Sequence, residues 1–266
     1  MRKRLVEIIS VGNELLTGHT LNTNAQWIAK QVTDTGGIVK RVTIMRDEIN
    51  EIASSIRESF SRKVGLIIIS GGLGPTYDDK TLQGLAKALG QKLVLNEEAV
   101  RMLKHKYSKT LNPTLTASRI KMATMPARAK PLENPVGHAP AVMVKHGSCI
   151  IFSLPGVPTE MMAVFVKHVL PFLKRKIGMF VRIETSLETT NIMESVIAPY
   201  LDRVVASNPK VYIKSHPRGY GKGVSILHIN LACESSNRRS ANKYLRKAVR
   251  EMKQSVTDAG GKVKEI

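Results

Sequence analysis

The chain has 266 residues, enough for one large domain or an ordinary one plus a small one. Hydrophobic residues make up 42% and charged residues 23%, which excludes a largely disordered chain. The formal charge is +20 and both halves share the excess, so the partners are anionic: nucleic acid, anionic lipid or a phosphorylated small molecule. Val6–Val11 predicts a strand ending at Gly12. Leu21, Ala25, Ile28, Ala29 and Val32 predict a helix over 20–35, stopped by Gly36-Gly37. Ile38–Ile44 predicts a second strand and Ile49–Phe60 a second helix, with Ile52, Ile56 and Phe60 on one face. Leu66–Ser70 is a continuous apolar run that fits a central strand covered on both sides. A glycine-rich segment, 71–76, leads to a helix from Asp79 to Leu89.

From Glu97 to Met122 the pattern is helical and basic, broken near Asn112-Pro113. Residues 126–140 carry Pro126, Pro131, Pro135, Gly137 and Pro140, too many breakers for regular structure, and are read as an ordered loop. Strands follow at Ala141–Lys145 and Cys149–Leu154, then a helix through Met161, Met162, Phe165, Val166 and Val169. This alternation predicts a mostly parallel sheet between helices over 1–177. Residues 178–266 change character: strands near 180–187, 210–215 and 224–233 with helices near 191–205 and 236–258 predict a small α+β domain. Cys149 and Cys233 lack any C-x-x-C spacing and read as buried free thiols of a reducing compartment. No apolar run reaches the roughly 18–20 residues of a membrane span, and the stretch after Met1-Arg2-Lys3-Arg4 is interrupted by Glu7, so a cytoplasmic protein is expected.

In an open parallel sheet, ligands bind beyond the carboxyl ends of the strands. Four segments lie there: Gly12–Gly18 with Asn22 and Asn24; Arg46-Asp47-Glu48; Ser70–Asp79; and Leu154–Glu160. In the third, Gly71, Gly72 and Gly74 let backbone amides converge on an anion, and Thr76 adds a hydroxyl. Asp78 and Asp79 would repel a phosphate unless a divalent cation lay between, and hard oxygen ligands suit magnesium or manganese. Either Asp could instead cap the following helix, and Asn24 could cap its own. Glu14 follows the first strand. Asn134, Gly137 and His138 lie in the proline-rich loop, where a lone His reads as a surface residue. Pro155, Gly156, Pro158 and Glu160 form a rigid turn that could wall a pocket. Lys214–Pro217, followed by Gly219, Gly221 and Gly223, is either a second anion loop or a hairpin connection.

Together, Val11–Leu16 with Asn22–Ala25, Ser70–Asp79, Asn134–Gly137 and Leu154–Glu160 resemble the N-terminal domain of the CinA (competence/damage-inducible protein A) family, within the molybdopterin-binding superfamily. The resemblance covers roughly residues 5–175, and 178–266 is similar to the small domain that follows in that family. It implies a stand-alone form without the C-terminal domain associated with nicotinamide mononucleotide deamidation. It also implies a pyrophosphatase that uses magnesium, manganese or cobalt to cleave ADP-ribose or a related dinucleotide to AMP and ribose 5-phosphate. In that reading Glu14, Asp78 and Asp79 are catalytic, and Asp78 and Asp79 hold the metal. Gly71, Gly72, Gly74 and Thr76 bind phosphate; Asn22, Asn24, Arg46, Asp47, Asn134, Gly137, Pro155, Gly156, Pro158 and Glu160 surround the rest of the ligand. Tyr77 and Asn13 depart from the family pattern and could alter substrate choice.

The second reading is a molybdopterin-binding protein of molybdenum cofactor biosynthesis, since the superfamily uses a glycine-rich loop and Asp for that ligand. Its members imply a homo-oligomer, dimer or trimer. Leu73-Gly74-Pro75-Thr76 and the appended small domain favour the CinA side. A third reading, a non-enzymatic nucleic-acid-binding protein, rests on the charge alone. It ranks last because the basic helices carry few aromatics.

Overall fold

The computed structural model describes residues 5–108, 110–177, 181–221 and 224–266. Two compact units divide the chain: Met1–Thr33 with Gly37–Gly178, and Met179–Ile266 with Asp34–Gly36.

The first unit is built on a six-stranded sheet of order β2-β1-β3-β8-β7-β6. Its strands are β1 (Leu5–Val11), β2 (Ile38–Met45), β3 (Leu66–Ser70), β6 (Lys130–Leu132), β7 (Ala141–His146) and β8 (Cys149–Leu154). A separate pair comprises β4 (Leu93–Leu95) and β5 (Thr124–Pro126). β2, β1, β3 and β8 run parallel, while β7 and β6 continue antiparallel. The sheet is therefore mostly parallel and sandwiched by helices, the expected fold class. β3 and β8 are buried at every position and β1 at all but its first, which is why they read as unbroken apolar runs.

The helices are α1 (Asn13–Leu16), α2 (Thr23–Asp34), α3 (Ile49–Ser61), α4 (Thr81–Leu89), α5 (Glu97–Tyr107), α6 (Ala117–Lys121), α7 (Pro158–Val164) and α8 (Leu170–Ile177), with a π-helical turn at Phe165–Val169 joining the last two. One core joins Ile9, Ile67, Ile69 and Ile151 to Ile52 and Ile56 of α3, Leu85 of α4 and Leu103 of α5. The alternate strand positions, Ile8, Ile68 and Phe152, are buried too. Phe152 meets Phe172 edge-on with ring centres 5.4 Å apart, and Trp27 meets Phe165 likewise at 5.1 Å.

The second unit runs β9 (Val181–Thr190), α9 (Glu194–Ser207), β10 (Val211–Gly221), β11 (Val224–Ser235), α10 (Arg238–Asp258) and β12 (Lys262–Glu265). Its sheet order, β10-β11-β9-β12, is antiparallel throughout, which with this element order is the ferredoxin-like β-α-β-β-α-β arrangement. Leu187, Leu227, Ile229, Leu231 and Cys233 meet Ile197 and Val204 of α9 and Ala241, Leu245, Ala248, Met252 and Val256 of α10. Among the described residues no helix is long and apolar enough to cross a membrane. Both cysteines are buried free thiols, and burial pushes the Cys149 thiol up to about 12.

The structure departs from the expected elements where local signals mislead. Helix α2 starts at Thr23, leaving Leu21 exposed, and α4 starts at Thr81, so Asp79 is not its cap. The proline-rich stretch contains β6, and Pro126 ends β5. Proline is tolerated there because β6 is an edge strand and β4-β5 a two-stranded pair. The basic segment 97–122 forms two helices, α5 and α6. Lys214–Pro217 lies within β10 of a hairpin rather than in an anion loop; Gly223 lies outside the described residues.

Helix α3 is locked to β1 by one ion pair. Glu7, 1% exposed, accepts from Arg62 Nε at 2.7 Å, Arg62 Nη2 at 2.8 Å and Ser59 Oγ at 2.6 Å. Burial raises the Glu7 pKa, but the Arg62 and Ser59 bonds outweigh it and hold the carboxyl below its ordinary range. The pair therefore stabilises above the ordinary Glu pKa, and that stability is lost as pH falls through the depressed one. Arg62→Met should cost about 3 kcal/mol at pH 7 by leaving a buried charge unpaired. Urea denaturation followed by tryptophan fluorescence checks this; a loss under about 1 kcal/mol would remove the pair from the fold's main supports.

Candidate functional site

β1 lies between β2 and β3, so the chain reverses its direction of winding there, and the crevice opens beyond the strand ends. A cavity of about 530 Å³ occupies it. Its walls come from Val11 and Gly12 after β1, Asp47 after β2, Gly71–Pro75 after β3 and Pro155–Val157 after β8.

The loops approach at bare backbone. Gly71 has φ +105°, and a Cβ there would overlap the Val11 carbonyl oxygen. A Cβ on Gly156 would lie 3.3 Å from the Gly71 Cα. The Gly71 amide donates to the Leu154 carbonyl at 3.0 Å, and its carbonyl accepts from Thr81 Oγ1 at 2.8 Å. Two asparagines lash the strand ends from below. Asn24 Nδ2 donates to Ser70 Oγ at 3.0 Å and to the Gly156 carbonyl at 2.7 Å. Asn22 Nδ2 donates to Ser10 Oγ at 3.0 Å, while its Oδ1 accepts from the Ala25 amide at 3.2 Å. Asn22 thus caps the start of α2, the role considered for Asn24, whereas Asn24 crosses to β3 and β8. Both line a smaller neighbouring cavity of about 90 Å³, together with Pro158.

Glu14, Asp47, Asp78, Asp79 and Glu160 all line the main cavity, and among the described residues no Lys or Arg does. Asp47 accepts from the Asn13 amide at 3.1 Å. Burial pushes its pKa up against that bond, and the charges of Glu14, Asp78 and Asp79 push the same way. Asp79 turns back on its own loop, accepting from the Thr76 amide at 2.9 Å and hydroxyl at 2.5 Å. Thr76 therefore braces the loop rather than facing the cavity, and Lys121 holds the Thr76 carbonyl. Asp78 Oδ1 and Asn24 Oδ1 are shielded acceptors without a protein partner. Among the described residues no three His, Cys, Asp or Glu side chains cluster to hold a metal ion unaided. A cation would need further oxygens from a ligand or water, as magnesium commonly does.

Asn134 is 2% exposed and works inside the protein. Its Nδ2 donates to Glu160 Oε2 at 2.6 Å and to the Ala139 carbonyl at 3.1 Å, and its Oδ1 accepts from the Gly137 amide at 2.9 Å. A Cβ on Gly137 would displace the Glu160 carboxylate that Asn134 holds there. Arg46 and Tyr77 are exposed and do not line the cavity, so neither touches its contents as placed. Sequence reasoning passed over Tyr107, Met122 and Ala139, which complete the wall, and took His138 for a surface residue. His138 is exposed, yet it lines the cavity and stacks on Tyr107 at 4.5 Å, with Arg119 over that ring at 3.8 Å. The lone Tyr at the end of a basic helix was the available signal. Ser10 and Ser70, hydroxyls ending apolar runs, were the signal for the asparagine lashings.

This architecture is an open α/β sheet with a crevice at its switch point, the place where such sheets bind ligands. A family model described as a probable molybdopterin binding domain matches residues 7–175, and the chain belongs to that family. A protein of Sulfurisphaera tokodaii is 45% identical over 257 residues, covering 97% of each chain. One from Sulfolobus acidocaldarius is 41% identical over 266 residues, covering all of both. Among solved structures, that of the protein CinA "with unknown function" from Thermoplasma acidophilum is 40% identical, covers 65% of this chain and 99% of its own, and has a TM-score of 0.61. The chain is thus CinA-like in its molybdopterin-binding domain. The ADP-ribose pyrophosphatase expected from that resemblance is overturned: the family shown is described as a probable molybdopterin binding domain, and nothing in these comparisons points to dinucleotide hydrolysis.

Repulsion around Asp47 gives a test of the electrostatics. Its raised pKa means folding disfavours the charged form, a penalty present above the folded pKa and absent once the group is protonated in both states. Asp47→Asn keeps an acceptor for Asn13 and removes the charge. Its melting temperature should exceed the native protein's by about 1–3 °C at pH 7, and the gain should vanish towards pH 3. Calorimetry across that range decides; a loss at pH 7 would show that the Asp47 charge is not opposed by its neighbours.

Proposed function

We propose that the switch-point cavity binds molybdopterin, and that the protein serves a molybdopterin-handling step of molybdenum cofactor biosynthesis. The observation that carries this is the pairing of bare loop backbone at Gly71 and Gly156 with five carboxylates, Glu14, Asp47, Asp78, Asp79 and Glu160, in the same lining. Molybdopterin is a pterin carrying a phosphate, so it presents both an anion and an edge of ring N–H donors. Backbone amides of the glycine loop suit the phosphate. Carboxylates suit the pterin edge, whose adjacent amino and ring N–H groups can donate to both oxygens of one carboxylate. A ligand of phosphate alone would meet repulsion from Glu14, Asp47, Asp78, Asp79 and Glu160.

A divalent cation belongs to this reading as a companion of the ligand phosphate. The unpartnered Asp78 Oδ1 fits such an ion, with Asp79 holding the loop beside it. Magnesium, manganese or cobalt would there offset the charge between carboxylate and phosphate. Glu14, Asp47 and Glu160 then remain as acceptors for ligand donors.

Molybdopterin released anaerobically from a molybdoenzyme should co-elute with the purified protein in gel filtration, detected by the fluorescence of its oxidised pterin. Asp78→Asn should weaken this binding by about 10- to 100-fold, the effect of one charge-assisted interaction. Absence of co-elution with the native protein, with or without magnesium, would sink the reading. An Asp78→Asn variant that binds as well as the native protein would remove Asp78 from the site.

A further inference from the structure

The second unit carries a cleft of about 590 Å³ between α10 and the β9 and β12 strands, unrelated to the glycine cavity. That volume lies in the range of small-molecule sites. Its floor is apolar, from half-buried Ile183 and Val249 and buried Leu245. Its rim is cationic. Arg246 and Arg250, four residues apart, share one flank of α10, and Arg238 reaches the same cleft from the helix's first turn. At 1.5 Å per residue, Arg246 and Arg250 stand about 6 Å apart along the axis.

The carboxylates in this cleft are already engaged. Glu265 pairs with Lys253 at 2.7 Å and accepts from Thr185 Oγ1 at 3.0 Å, and Glu184 pairs with Arg182 at 3.4 Å. Arg238, Arg246 and Arg250 have no carboxylate partner among the described residues. Three unpaired guanidinium forks over an apolar floor form a surface that asks for an anion with a hydrophobic body. Guanidinium groups recognise phosphoryl oxygens in bidentate fashion.

The geometry points to a second ligand site in this cleft, for an organic polyphosphate such as a nucleoside di- or triphosphate. Its phosphoryl groups lie on Arg246 and Arg250, and its ring system lies on Ile183, Leu245 and Val249. A nucleic-acid backbone fits less well. Among the described residues the cleft has no aromatic side chain on which bases could stack, and its volume is that of one small ligand rather than a strand.

The test uses the full chain with ATP as probe, by isothermal titration calorimetry. Arg246→Gln/Arg250→Gln should weaken ATP binding at least about tenfold. The charge-matched control Arg128→Gln/Lys145→Gln, on exposed residues of the first unit, should change it less than about twofold. No ATP binding by the native protein at millimolar concentration would overturn the proposal, as would equal weakening in both variants, the mark of bulk charge. A twelve-residue single-stranded oligothymidylate provides the remaining arm. If the cleft variant loses oligonucleotide binding while ATP binding is untouched, the cleft is a nucleic-acid surface and the proposal fails. Molybdopterin co-elution should be unchanged in the cleft variant, which separates this site from the glycine cavity.

Discussion

Everything at the candidate site depends on one steric constraint, the contact of bare backbones at the carboxyl end of the parallel strands. The loop after β3 bends back so closely that a single methyl group on Gly71 would overlap the Val11 carbonyl, and Gly156 comes in from β8 to touch the same residue. These approaches leave no space for side chains between the loops. Where the loops meet, the crevice therefore offers a ligand peptide groups at fixed positions, held by hydrogen bonds from Thr81 and Asn24, while side chains line the walls around them. Rigid amides bind an anion without first losing side-chain freedom, which is the advantage of building such a site from glycine.

The constraint also explains the placement of polar groups beneath the cavity. The central parallel strands β1, β3 and β8 are buried on both faces, so hydroxyls at their ends need internal partners. Ser10 and Ser70 find them in Asn22 and Asn24, and the same bonds fix the start of α2 against the strand ends. Asn134 does the equivalent work opposite, setting the Glu160 carboxylate at the cavity wall while tying the loop through Gly137. Residues that look like ligand contacts in the sequence are thus divided between those that face the ligand space and those that hold the facing residues still.

That division marks what was legible in the sequence. Continuous apolar runs such as Leu66–Ser70 gave away the central strands, since burial on both faces leaves no room for polar alternation. The glycine loop and its acids were legible because their composition suits no ordinary structural role. The roles of Thr76, Asn22 and Asn134 were not, because a side chain that braces a loop and one that meets a ligand share the same chemistry. Tyr107 and His138 were missed for a different reason: they reach the wall through a stacking contact between α5 and a distant loop, and nothing in local spacing encodes that pairing. The edge strand β6 was hidden by its proline, which a central strand would exclude. The activity was misjudged because glycines and carboxylates beside a phosphate site are compatible with hydrolysis and with binding alike.

The charge of the protein and the charge of its cavity have opposite signs. A formal +20 raises the local concentration of anions around the whole molecule, an effect that reaches about 8 Å beyond the surface at physiological salt. Inside the cavity five carboxylates reverse that field, so a bare anion drawn to the surface gains nothing by entering. Entry favours a molecule that brings its own N–H donors or its own cation together with phosphate. On the proposed function, the positive exterior would draw phosphorylated compounds in general and the acidic interior would select among them. Because desolvation strengthens the inner interactions while salt screens the outer field, affinity within the cavity is set by geometry and hydrogen bonding, and only the rate of arrival by the net charge.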